Sequence, residues 1–139
     1  MDKTLLDTDI LSEVLKAKDP NVVAKASVYH AQFGRYTIAS ITVMEVVKGL
    51  HKLQQTNRVQ QFIGQVGSIE VLSLDVSAAE LAGLIYGDLE RTGQPIGRAD
   101  PMIAAIALRH GLRLTTGNTG HYQRIAALGY PLQLDNWRL

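Results

Sequence analysis

The feature that most constrains this chain is an alternation: short β-prone runs are separated, each time, by longer segments with helical character. Leu5-Leu6, Tyr36 to Ala39, Ile69 to Leu72, Leu112 to Thr115 and a stretch near Pro131 to Leu134 read as strands. Asp19-Pro20 opens a helix that runs to Phe33, with Gly34 as its stop. Val43, Val46, Val47, Leu50 and Leu53 recur at helical spacing, and a polar helix spans about Asn57 to Val66. Val76 to Arg91 is amphipathic, with Leu81, Leu84, Ile85 and Leu89 on its buried side, and a short helix follows Asn118. Pro101 to His110 is apolar nearly all round, and Ala104, Ala105 and Ala107 suit close packing at the centre of the molecule. This alternation specifies an α/β sandwich, helices over both faces of a central, mainly parallel, short-stranded sheet. Ligands of such sheets bind at the carboxyl ends of the strands, which directs attention to the strand-to-helix turns.

The rest of the composition bounds the possibilities. The 139 residues carry no repeat, low-complexity tract or linker, so a single domain over 1–139 is expected. The absence of cysteine excludes disulfides, cysteine-based zinc sites and thiol nucleophiles. His30, His51, His110 and His121 show no metal-ligand spacing, and there is no Gly-rich dinucleotide fingerprint or P-loop lysine. A net charge of +1 neither demands nor forbids a polyanionic partner. Met1-Asp2-Lys3-Thr4-Leu5 does not begin a secretory signal, and no apolar run is long enough to span a bilayer. A cytoplasmic protein is the expectation.

Chemistry concentrates at the expected turns. Asp7 and Asp9 follow the first strand, Glu45 lies one turn into the helix after the second, and Thr115-Thr116-Gly117-Asn118 ends the fourth. Asp100 opens the central apolar helix. A parallel sheet sends these groups to one edge, where several close carboxylates cannot all stay ionised without a counter-charge. A hard divalent cation with oxygen ligands, Mg²⁺ or Mn²⁺, supplies it, and a carboxylate-held metal points to phosphoryl chemistry. Each residue also has a local explanation. Asp100-Pro101 has the form of an N-cap, Thr42-x-x-Glu45 that of a capping box, and Asp7, Asp9 or Asn118 could each cap a helix. Asp19-Pro20 repeats the first pattern where no chemistry is expected. Capping alone, however, does not require acidic groups at several turns of one edge.

Four ordered blocks carry a resemblance that covers nearly the whole chain: Leu5-Leu6-Asp7-Thr8-Asp9-Ile10-Leu11-Ser12, Ile41 to Leu50, Ile96 to Ala107 and Leu114 to Tyr122. In them the sequence resembles the PIN-domain ribonucleases, in particular the VapC-type toxins of toxin–antitoxin pairs. The resemblance implies a PIN-like α/β/α sandwich that cleaves RNA endonucleolytically with Mg²⁺ or Mn²⁺, leaving a 5′-phosphate and a 3′-hydroxyl. It places Asp7, Glu45 and Asp100 on the family's three core metal-binding acids. Asn118 falls where many members carry a fourth acid, usually Asp, and an amide offers only a neutral carbonyl oxygen, so one firmly held metal is expected. Asp9 stands where Asn is common and either adds charge or caps the helix. Arg98 is the candidate phosphate contact, while Thr8 and Thr116 could orient water or phosphate. His121 could approach the site, with Tyr122 beside it packing in the core. RNA, a cognate antitoxin and a second copy of the chain are the implied partners; Lys48, Lys52 and Arg91 are candidates for choosing the RNA. Two alternatives stand beside this one. A catalytically silent PIN domain would bind RNA or protein, and a receiver-like phosphoacceptor would need a lysine where Thr115-Thr116 stand.

Overall fold

The computed structural model describes all 139 residues. Five strands alternate with seven helices: β1 (Thr4–Leu6), α1 (Thr8–Lys16), α2 (Pro20–Phe33), β2 (Thr37–Ala39), α3 (Ser40–Lys52), α4 (Thr56–Val66), β3 (Glu70–Leu72), α5 (Val76–Arg91), α6 (Ala99–Arg109), β4 (Arg113–Thr115), α7 (Thr119–Ala127) and β5 (Leu134–Asp135). The strands form one sheet in the order β3-β2-β1-β4-β5, and all four pairings are parallel. The sheet is thus wholly parallel where the sequence suggested mainly parallel.

Strand side chains point alternately to opposite faces, and here the two faces bury different helices. Leu6 and Ile38 join Ile10, Leu11, Val22, Tyr29, Phe62 and Trp137 on one side. Leu5, Ala39 and Leu114 join α5, α6 and α7 on the other, around Ile85, Ile103 and Ile106. The split follows from topology. The chain winds outward from β1 to β2 and β3, then returns past β1 to add β4 and β5. Crossovers of one hand running in opposite directions put their helices on opposite faces. Helix α6 is buried at Pro101 and throughout Ile103 to Ala107, as its all-round apolar sequence requires. No helix of the protein is long and apolar enough to cross a membrane.

Local signals set several boundaries. Asp19 caps α2 by accepting from the amides of Asn21 and Val22, with Pro20 in the first turn, and Gly34 closes the helix at φ 80°. Two readings need correction. Leu84 is 61% exposed and lies off the buried face of α5, which Ala78, Leu81, Ala82, Ile85 and Leu89 form instead. Leu53, expected to continue the apolar stripe of α3, lies beyond its end and is 66% exposed.

Candidate active site

The direction of winding reverses between β1 and β4, so the turns leaving these adjacent strands flank the switch point where doubly wound sheets bind ligands. Register brings them together: Leu6 lies abreast of Thr115, and the Asp7 amide extends the ladder to the Thr115 carbonyl at 2.9 Å. Asp7 caps α1 and is almost wholly buried. Its Oδ1 accepts from the Thr8 amide at 2.9 Å and its Oδ2 from the Thr116 hydroxyl, also at 2.9 Å. The cap reading of Asp7 therefore holds, and it accounts for only one of the two oxygens.

Glu45 is no capping-box residue. Helix α3 begins at Ser40, so Thr42 lies inside the first turn, fully buried, and the helix has no side-chain cap. The Thr8 hydroxyl donates to Glu45 Oε1 at 2.6 Å. With its single proton so committed, Thr8 must accept from Thr42, whose hydroxyl lies 3.0 Å away. Asp100 is likewise not an N-cap: Arg98 precedes the helix in a helical conformation, and Asp100 sits within the first turn. Its Oδ1 accepts from the Tyr122 hydroxyl and its Oδ2 lies beside His121 Nδ1, both at 3.2 Å. Asn118 Nδ2 approaches the same His121 nitrogen at 3.1 Å. Nδ1 can donate to Asp100 or accept from Asn118, but one tautomer cannot do both.

Thr8 and Thr116, expected to orient water or phosphate, thus have their protons engaged by carboxylates, and Thr116 also accepts from the Asn118 amide at 2.9 Å. Arg98 is exposed in the loop before α6, its carbonyl held by the Tyr86 hydroxyl. Asp9 accepts from the Ile10 amide at 2.8 Å and reaches across to the Gly117 amide at 3.0 Å. Its Oδ2 also lies 3.5 Å from Arg138, a residue that no motif of the sequence places here. Thr42 and the buried Tyr122 hydroxyl were missed as partners of the site, although both lie within the four blocks.

The electrostatics are those of an acidic site without an internal cation. Neither lysine nor arginine pairs with Asp7, Glu45 or Asp100. Burial pushes the Asp7 carboxyl up to about 6, reinforced by the charge of Asp9 and, less, that of Asp100; hydrogen bonds from Thr116 and Thr8 only partly offset this. Burial likewise raises Asp9, opposed by the Gly117 amide and Arg138. Tyr122 is driven far up by burial and then by the charges of Asp7 and Asp100, so it stays a neutral donor. As they stand, no three Asp, Glu or His side chains close around one point; each of the three acids has its own hydrogen-bond partners. The donor set still fits a hard divalent cation: carboxylate oxygens, a raised Asp7, and no lysine or arginine paired with the three acids.

A parallel sheet with carboxylates grouped at its switch point defines the class. The profile of the PIN domain matches residues 4–128, and the chain belongs to that family. Its relatives include VapC proteins. It is 36% identical over 127 residues to the tRNA(fMet)-specific endonuclease VapC of Shigella flexneri, covering 91% of this chain and 94% of that one. Against the tRNA(fMet)-specific endonuclease VapC of Salmonella typhimurium it is 31% identical over 136 residues, covering 97% and 98%. The structure of DNA-bound VapBC from Salmonella typhimurium superposes with a TM-score of 0.80 at 31% identity, covering 99% of both chains.

Proposed function

We propose that the protein is a divalent-metal-dependent endoribonuclease and the toxin of a toxin–antitoxin pair. The observation that carries this reading is Asp7: a buried carboxyl pushed up to about 6, beside other acids, at the switch point of the sheet. The kinship with VapC endonucleases and with a VapBC complex supports it. Asp7, Glu45 and Asp100 would hold Mg²⁺ or Mn²⁺. Such an ion, when bound, polarises a phosphate oxygen and eases deprotonation of water.

The chain's own groups do the rest. Thr8 aims Glu45, Thr116 holds Asp7, and Tyr122 with His121 fixes Asp100. No nucleophilic side chain is needed: as the family resemblance implies, in-line attack of water on phosphorus, with the bond to the 3′-oxygen breaking, would leave a 5′-phosphate and a 3′-hydroxyl. Asn118 offers a neutral oxygen at most, which favours one firmly bound cation. Arg98, exposed next to Asp100, is the phosphate contact. A cognate antitoxin restrains the enzyme, which acts in the cytoplasm as a homodimer.

Incubation with total RNA and with initiator tRNA, the substrate class named for two relatives, tests the reading. Cleavage is expected with Mg²⁺ or Mn²⁺ and lost in Asp7→Asn. No cleavage with any divalent ion, or identical products from wild type and variant, would defeat it. RNA bound but uncut would favour the silent binding module.

A further inference from the structure

The last residues of the chain return to the rim of the site. Trp137 is fully buried against Tyr29, their ring centroids 5.7 Å apart, and anchors the tail. Asn21 Nδ2 donates to the Arg138 carbonyl at 2.9 Å, and Lys25 Nζ to the Leu139 carbonyl at 2.5 Å. So held, the Arg138 side chain sends Nε to Glu13 Oε1 at 2.9 Å and lays its guanidinium beside Asp9 Oδ2 at 3.5 Å. The other Glu13 oxygen is buried without a partner, so Arg138 is the group that keeps this carboxylate compensated. The guanidinium also covers Gly117: a Cβ there would come within 1.8 Å of Arg138 Nη1 and 2.8 Å of Asp9 Oδ2. Gly117 has no left-handed backbone, so what glycine supplies here is room for the guanidinium, not a special conformation.

Both Asp9 oxygens are therefore engaged, Oδ1 by the Ile10 amide and Oδ2 by the Gly117 amide and Arg138. An asparagine could offer only one acceptor oxygen in their place. The turn that Asp9 grips is the one that carries Thr116, the donor to Asp7, and Asn118. We propose that Arg138 is a positioning residue: by pairing with Asp9 and Glu13 it locks the β4–α7 turn, and Asp9 serves that lock and not the metal. The catalytic consequence rests on the ribonuclease reading; the lock itself does not.

The variant Arg138→Met keeps the aliphatic stem and removes only the charged fork. In the metal-free protein it should speed amide exchange at Gly117 about tenfold or more, while the Leu114 amide in β4 and the near-ultraviolet signal of Trp137 stay unchanged. Gly117→Ala, which displaces the guanidinium but leaves the tail intact, should loosen the Asn118 amide in the same way. In RNA cleavage, Arg138→Met should lower kcat about tenfold with KM within about twofold, as expected for one lost charge-assisted contact. The loss should shrink to less than about twofold when Asp9 is already Asn. Unchanged Gly117 exchange in folded Arg138→Met would overturn the proposal. A rise in KM alone would instead make Arg138 a direct RNA contact, and fully additive losses would uncouple it from Asp9. A protein inert toward RNA in every form would sink the ribonuclease reading, while the exchange measurements still decide the lock.

Discussion

The two edges of the sheet treat a carboxylate in opposite ways. At the amino-terminal edge, Glu70 opens β3 and is met by Lys3 at 2.7 Å, Arg35 at 3.5 Å and the Thr37 hydroxyl at 2.9 Å. The Lys3 contact comes first among the causes that hold it below the usual carboxylate range. At the carboxyl-terminal edge, Asp7 receives only neutral donors and has acidic neighbours, and it is pushed up to about 6. A carboxylate that serves the fold is neutralised by the chain itself. One left short of positive charge at a switch point has a free energy of ionisation that an external cation can recover. Arg138, the one arginine paired with carboxylates at this edge, reaches Asp9 and Glu13 and stops there.

The largest expected effect breaks this contrast from the Asp7 side. Asp7→Asn should reduce RNA cleavage at least about a hundredfold, as loss of a ligand to the catalytic ion would. The same change should stabilise the metal-free protein. Between its ordinary value of 3.8 and about 6, the native Asp7 binds more protons than the unfolded one, so its contribution to stability falls as pH rises through that window. Above about 6 the destabilisation is complete, up to about 3 kcal/mol at most. Metal-free Asp7→Asn should therefore melt above wild type at pH 7, with the difference closing near pH 4. Thermal melts across pH check this; a variant less stable than wild type at pH 7 would mean that Asp7 is not strained.

Tyr122→Phe comes next. It keeps the buried ring and removes one donor to Asp100, so cleavage should slow roughly fivefold, the scale of about 1 kcal/mol for one hydrogen bond. Steady-state rates at saturating Mg²⁺ test it. Addition of Mn²⁺ should raise the melting midpoint of wild type at pH 7 and lose that effect as pH falls below about 6, when Asp7 takes up its proton. Asp7→Asn should show a weaker shift at every pH. Equal shifts in both proteins would place the ion elsewhere.

Why the sequence revealed some of this and hid the rest is a matter of range. Asp19 and Gly34 bound α2 through contacts within a few residues, so their meaning is local and visible. Strand alternation, with Leu5 and Leu6 on opposite faces, likewise needs only neighbouring positions. Thr42 and Asp100 imitate helix caps locally, and the imitation fails because each helix starts a little earlier than its cap pattern suggests. What Thr42 touches is Thr8, 34 positions away, across two parallel strands. Leu84 fits an apolar periodicity on paper, but the angular position that faces α6 belongs to its neighbours in α5. Arg138 meets Glu13 across 125 positions of chain, and nothing near either residue announces the pair. That the turns carrying the three acids share one edge was legible, because parallel topology brings distant turns together. Thr8 and Thr116 were legible as neighbours of the site, but not which carboxylate each hydroxyl serves, because only register decides which turn faces which.

The smallest expected effect tests the amino-terminal edge. Glu70 has its pKa lowered by its partners, so its contribution to stability is present above its ordinary value of 4.5 and is lost as pH falls through the lowered one. Its side chain is 21% exposed and that of Lys3 42%, so solvent screens the pair and the contribution at pH 7 should stay below about 1 kcal/mol. Glu70→Gln should accordingly lower the melting midpoint slightly at pH 7, have less effect in acid, and leave RNA cleavage and the Mn²⁺ shift as in wild type. This is the reverse of Asp7→Asn in every respect: stability lost where the other gains it, and function kept where the other loses it. Should Glu70→Gln depress cleavage as well, the two edges would be coupled through the strands between them. Division of labour across the sheet would then no longer explain why one carboxylate carries its own cations and the other does not.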